Sequence, residues 1–197
     1  MRTHTRVYDS YSQAQRVVMD LEAAGIPSGD ISLVANKHVS DQYANVVDVD
    51  DASATAKGAG LGAALGGGAG LAAGVGLLAI PGLGPVVAAG WLAATAVGVL
   101  AGTATGGIIG ALVDAGEPED TAHVYSEAVR RGGTLVTARV AEAQSTNAVA
   151  IMDRHQPVDA TARRTEYEQT GWKKFDPSAG PYTPSETEIR RMRRDYT

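Results

Sequence analysis

Histidines, acidic clusters and glycine-rich turns are the groups with which this cysteine-free chain of 197 residues could do chemistry. The four histidines, His4, His38, His123 and His155, are scattered. His123 has carboxylates at helical spacing on both sides, with Glu119 four residues before it and Glu127 four after. Three such groups on one helix face are a conceivable metal site, but an ordinary surface histidine is the expected role. Asp48-Val49-Asp50-Asp51 has the acidic density of a calcium loop. It lacks the glycine at the sixth loop position and the glutamate at the twelfth, so it reads as a solvated linker. Gly68-Ala69-Gly70-Leu71-Ala72-Ala73 fits a dinucleotide fingerprint. It neither follows a strand nor leads to an acidic residue at the right distance, and any glycine-dense run generates such matches. The chain has no phosphate-loop lysine motif, no G-x-S-x-G elbow and no H-E-x-x-H. No carboxylate pair lies in an apolar setting that would tune it for acid–base work. The expectation is a protein that is not an enzyme, with no cofactor, no metal and no small-molecule substrate. With 17 basic against 22 acidic side chains and a net charge of −5, nucleic acid is not an expected partner.

The elements around these groups divide into parts. Thr5–Tyr8 is a strand candidate. Ser10 or Ser12 can cap a helix carrying Ala14, Val17, Val18, Leu21 and Ala24, and Gly25 stands at its stop. Ile31–Ala35 is a second strand. Further on, Pro118 can open a helix over Glu119–Arg131, and Gly132-Gly133 ends it. Thr134–Val140 is the clearest strand. Ser145 or Thr146 can cap a helix with Ala148, Val149, Ile151 and Met152, and Pro157-Val158-Asp159 is a short last strand. Two β-α-β units of this kind predict a ferredoxin-like α+β sandwich, four antiparallel strands with two helices on one face. A different strand order is the main competitor.

Between the two units, Gly58 to Val113 contains no charged residue and holds 17 of the 24 glycines. Gly58, Gly62, Gly66, Gly70 and Gly74 recur every four residues, and Gly90, Gly98, Gly102, Gly106 and Gly110 repeat the spacing with Ala94 filling the one gap. On helices such residues make flat grooves that let backbones approach closely. Pro81-Gly82-Leu83-Gly84-Pro85 is a bend. The block therefore reads as a glycine-zipper helical hairpin with arms of about 33 and 42 Å, each able to cross a hydrocarbon core of roughly 30 Å. The resulting layout is 1–57 (first half-domain and linker), 58–113 (hairpin), 114–159 (second half-domain) and 160–197 (an extended, charged tail). In the tail, Trp172, Phe175, Pro181 and Tyr182 are docking candidates for the same chain or a neighbour. Ser185 can cap a short helix over Glu186–Tyr196, whose Arg190, Arg191, Arg193 and Arg194 suit an anionic surface. The opening Met1–Arg6 has no apolar signal region, and without cysteine a cytoplasmic soluble domain is expected.

Three segments resemble a bacterial general stress protein family, also called heat-induced stress protein. They are Arg6-Val7-Tyr8-Asp9 with Ala23-Ala24-Gly25-Ile26-Pro27 and Asp30-Ile31-Ser32-Leu33-Val34, then Ala79-Ile80-Pro81-Gly82-Leu83-Gly84-Pro85-Val86, and finally Gly116-Glu117-Pro118-Glu119 with Arg130-Arg131-Gly132-Gly133-Thr134-Leu135-Val136. The resemblance spans about residues 5–158. It implies a stress role and this domain layout, and it carries no catalytic or ligand residues. Two functions are expected from the whole. One is a stress-response protein of the bacterial inner membrane whose hairpin enters the lipid bilayer and self-associates. The other is a soluble homo-oligomeric ring or filament with the hairpins buried inside. A ligand-binding regulatory domain is a third.

Overall fold

The computed structural model describes residues 1–36, 76–80, 82–92, 107–180 and 182. The strands are β1 (Arg2–Tyr8), β2 (Ile31–Asn36), β3 (Gly76–Ile80), β4 (Gly84–Ala89) and β5 (Thr134–Val140). The helices are α1 (Tyr11–Ala23), α2 (Ile108–Asp114), α3 (Glu119–Arg130), α4 (Glu142–Arg154) and α5 (Ala160–Gln169), with a 3₁₀ turn at Ser28–Asp30. The strands form one antiparallel sheet in the order β1-β5-β2-β4-β3.

α1 follows from its sequence. The Ser10 hydroxyl accepts from the Gln13 N–H at 3.2 Å and satisfies one orphan donor of the first turn. Ala14, Val17, Val18 and Leu21 recur at helical spacing and are all buried. Gly25, at φ 85°, reverses the chain as the sequence predicts. Alternation along the strands then sends side chains to two separate cores. One face of the sheet contributes Tyr8, Ile31, Leu33, Ala35, Val136 and Ala138 to a core with α1 and α4. The opposite face contributes Val7, Val34, Val86, Ala88 and Leu135 to a core with α2, α3 and Phe175. The α+β character and the antiparallel sheet are as expected. Among the described residues, however, the sheet has five strands and helices on both faces, not four strands with helices on one.

The largest correction falls on the apolar block. Gly76–Ile80 and Gly84–Ala89 are strands, where a helical hairpin was expected. The bend between them is real, with Gly82 at φ 78°, but it joins β3 to β4, not two helices. An uncharged run has no polar face, so its periodicity fits a doubly buried strand as well as a buried helix. Gly90 is likewise not a zipper residue on a helix. It follows β4 at φ 89°, and a side chain there would collide with the Ile31 carbonyl and with Ser32. The close approach lets the Leu92 N–H donate to the Ser32 hydroxyl at 2.9 Å. Gly110 lies on α2, which has only seven residues. Gly58, Gly62, Gly66, Gly70, Gly74, Gly98, Gly102 and Gly106 lie outside the described residues, as do Pro81, Pro181, the helix expected at 186–196 and Arg190, Arg191, Arg193 and Arg194. Among the described residues, no helix is long and apolar enough to cross a membrane.

The second half also departs in detail. α4 starts directly after β5, so Ser145 and Thr146 lie inside it and cap nothing. Pro157–Asp159 is not a strand; its one bond to β1 runs from the Val158 N–H to the Val7 carbonyl at 2.8 Å. Pro157 has no N–H to extend that ladder. The tail opens with α5, whose N-cap Asp159 accepts from the Ala162 N–H at 2.8 Å.

The even residues of β1 clamp α4 to the sheet. Arg2 Nε meets Glu142 Oε2 at 2.6 Å, His4 Nε2 meets Ser145 Oγ at 2.7 Å, and Arg6 Nε meets Asp153 Oδ1 at 2.8 Å. The buried Tyr8 hydroxyl donates to the Met152 carbonyl at 2.9 Å. Burial, with Arg6 and Arg2 nearby, pushes the His4 imidazole below its usual 6.5. A depressed histidine favours the neutral form in the fold. Its contribution is therefore fully present above pH 6.5 and is lost as pH falls through the lower folded value. Urea titrations at pH 7 and pH 5 should show acid destabilisation that is smaller in His4→Gln; equal acid losses in both proteins contradict this role. Gly90→Ala is expected to cost at least about 2 kcal/mol, because a positive φ and a steric clash add. A urea midpoint unchanged from wild type would contradict the close approach to β2.

Candidate functional site

α3 organises the surface that carries Trp172, Phe175 and Tyr182, three of the tail's four docking candidates. Its inner face sends Ala122, Tyr125, Ala128 and Val129 into the core. The stripe Glu119, His123, Glu127 and Arg131 recurs every four residues on another side. Glu127 is 1% exposed, an unusual place for a carboxylate. Two guanidiniums make it tolerable. Arg130 Nη2 and Arg131 Nε each reach Oε1 at 2.7 Å, and Arg130 Nε reaches Oε2 at 2.9 Å. Spacings of three and four residues on one helix bring both arginines to the same carboxylate.

The pairing fixes the guanidiniums as a platform for aromatic rings. Arg131 Cζ lies 4.2 Å from the Tyr167 ring centre and 4.9 Å from that of Tyr182. Arg130 Cζ lies 5.3 Å from Tyr182. These distances fall within cation–π range. Trp172 meets Tyr167 edge to face, with centroids 5.6 Å apart. Burial pushes the Tyr167 phenol up to about 12, so it stays neutral in ordinary buffers.

Past α5, residues 171–180 and Tyr182 lie as a strap over the same surface. Phe175 is 3% exposed and enters the core shared with α2 and α3. It sits against Gly82 in the β3–β4 bend, where a Cβ would come within 2.7 Å of the Phe175 ring and of the Asp176 and Pro177 backbone. Asp176 shapes the strap by accepting from the Ser178 N–H at 2.8 Å and the Ser178 hydroxyl at 2.6 Å. Those bonds hold its carboxyl below the usual range. The fold thus brings together Trp172, Phe175, Tyr182 and Gly82. Gly84 and Pro85 continue from the bend into β4.

The histidines have local partners. His155 Nε2 lies 2.8 Å from Asp20 Oδ2, tying α4 to α1. His123 Nε2 lies 3.8 Å from Glu119 Oε1, in a shallow cleft lined also by Pro118, Asp120, Lys173 and Lys174. Among the described residues no group of three or more histidine or acidic side chains is arranged to hold a metal ion. His38, the acidic run at Asp48–Asp51 and the glycine run at Gly68–Ala73 lie outside the described residues. The arrangement on α3 is suited to holding a peptide segment by aromatic insertion and cation–π contact. Sequence reasoning passed over Arg130, Arg131 and Tyr167 as site residues and weighed Glu127 only as a neighbour of His123. The signal was present as a glutamate followed at three and four residues by arginines just ahead of a glycine pair.

Glu127→Ala leaves two arginines facing a buried gap and is expected to cost about 3–5 kcal/mol. Trp172 emission should shift to the red as the strap loosens. A stability within 1 kcal/mol of wild type, on the order of a surface pair, would show that the carboxylate does not hold the platform.

Compared with known proteins, the chain matches no protein-family model, no curated protein and no solved structure.

Proposed function

We propose that the chain is a non-enzymatic bacterial stress-response protein that acts by self-association, with the α+β domain as the outer platform and the uncharged glycine-rich stretches as the packing element. The observation that carries this reading is the strand pairing of β4 with β2 through Leu33–Ala89, Val34–Ala88, Ala35–Val87 and Asn36–Val86. It takes residues 76–89 out of the uncharged block and into the sheet. The block is thereby cut into 58–75 and 93–106, stretches of 18 and 14 residues. Even as continuous helices they would reach only about 27 and 21 Å, short of a hydrocarbon core of roughly 30 Å. Packing of these stretches between copies buries them without requiring a span of lipid. Their four-residue glycine spacing supplies flat contact surfaces.

The stress role rests on the resemblance carried by Arg6–Asp9, Ala79–Val86 and Arg130–Val136. The domain core is read as a ferredoxin-like arrangement extended at one edge. β1, α1 and β2 form one half; β5, α4 and the Val158 contact beside β1 form the other; β4 and β3 are added beyond β2. Arginines 190, 191, 193 and 194 keep an anionic surface as a further contact of the tail.

Light scattering on the full chain without detergent should give a discrete particle several times the 20.2 kDa chain mass. Gly66→Leu and Gly102→Leu should shrink it. A wild-type monomer would sink the self-association reading. Native protein that stays in carbonate-washed membranes and leaves them only with detergent would replace assembly in water by integral insertion.

A further inference from the structure

The strap, 171–180 with Tyr182, is held to the domain in a distinctive way. Beyond its own turn at Asp176–Ala179, three hydrogen bonds described for it reach other elements, the first from the Gly171 N–H to the Glu168 carbonyl at 2.9 Å. The Trp172 N–H donates to the Tyr167 carbonyl at 3.2 Å, and Arg130 Nη1 donates to the Gly180 carbonyl at 3.4 Å. The remaining described anchors are side chains: Phe175 in the core, Trp172 on Tyr167, and Tyr182 over the arginine pair. Lys173, Lys174, Asp176, Pro177 and Ser178 between them are exposed. A segment built this way can lift as a unit, because among the described residues side chains supply most of its anchors.

The strap covers the tip of the β3–β4 hairpin. Gly82 and Leu83 are buried there, with Phe175 seated on Gly82. Among the described residues β3 is the last strand of the sheet on that side, and the hairpin joins the rest of the sheet through the β4–β2 register. In the chain, the same hairpin stands between the uncharged stretches 58–75 and 93–106. The second core, under α1 and α4, is a separate cluster that contains no strap residue. The socket is preorganised as well. Glu127 holds Arg130 and Arg131 through contacts within α3 and its C-terminal turn, which do not involve the strap.

We propose that the strap is a latch: docked, it holds the edge hairpin on β2 and limits association to a discrete particle; undocked, it lets the hairpin part from the sheet, and further copies add through the uncharged stretches. The latch rests on the self-association reading above for its consequence, but its grip on the hairpin is independent of that reading.

Hydrogen exchange resolved by residue, with light scattering on the same samples, tests it in the full chain. Phe175→Ala removes the buried anchor. Tyr182→Ala removes a rim contact and serves as the gentler variant should the first fail to fold. The Gly84–Ala89 amides are expected to exchange at least about tenfold faster in Phe175→Ala and less so in Tyr182→Ala. The amides of β1 and β5 should keep wild-type rates, and particle mass should rise. Wild-type rates in β4 for both variants would overturn the latch. So would equal acceleration in all five strands, which would make Phe175 an ordinary core residue. Faster β4 exchange with unchanged mass would uphold the grip on the hairpin and contradict the self-association on which its consequence rests.

Discussion

Every residue of β2, from Ile31 to Asn36, is buried, with apolar side chains entering both cores. A strand covered on both faces has little water with which to satisfy its main chain, so its two edges must find strand partners. β5 serves one edge through five register pairs, Ile31–Ala138 to Ala35–Thr134. The other edge requires a further strand, and the chain supplies β4 from the middle of its uncharged block. Much of the architecture follows from that need. β4 brings β3 with it through a three-residue bend, and the chain must pass closely over β2 at Gly90. The bend then presents the glycine surface on which Phe175 sits.

A second constraint acts at the end of α3. Burying the Glu127 carboxylate is costly unless its charge is matched and its lone pairs are used. Arg130 and Arg131 do both. Their faces are then available to Tyr167 and Tyr182. The charge that the core must neutralise thus becomes the anchor of the C-terminal strap. Local helix chemistry and long-range tail docking are here the same set of contacts.

The sequence was most legible where polar and apolar residues alternate in register with an element. α1, with its serine cap, buried stripe and glycine stop, could be read residue by residue, as could β5 and the extent of α3 to within one residue. It was least legible in the uncharged block. Glycine every fourth residue is a helical regularity, and it drew 76–79 and 86–89 into the arms of a helical hairpin. Yet Val86 and Val87 lie in β4, and no charge marks a face to separate the two periods. α5 was missed because its residues, Ala160 to Gln169, are mostly exposed and show almost no apolar stripe; Tyr167 alone is buried. Of the site, the aromatic residues of the tail stood out in a charged segment. The Glu127 platform did not, because a glutamate followed by arginines at three and four residues reads as a solvated helix face until its burial is known.

The central claim is that β4 belongs to the sheet beside β2. Cross-strand nuclear Overhauser contacts test it most directly in a selectively labelled full-length chain. The account predicts contacts between Leu33 and Ala89 and between Ala35 and Val87, with extended-strand patterns through Gly84–Ala89. Sequential helical contacts through the same residues, with none to β2, would contradict it and restore a helical arm to the middle of the uncharged block.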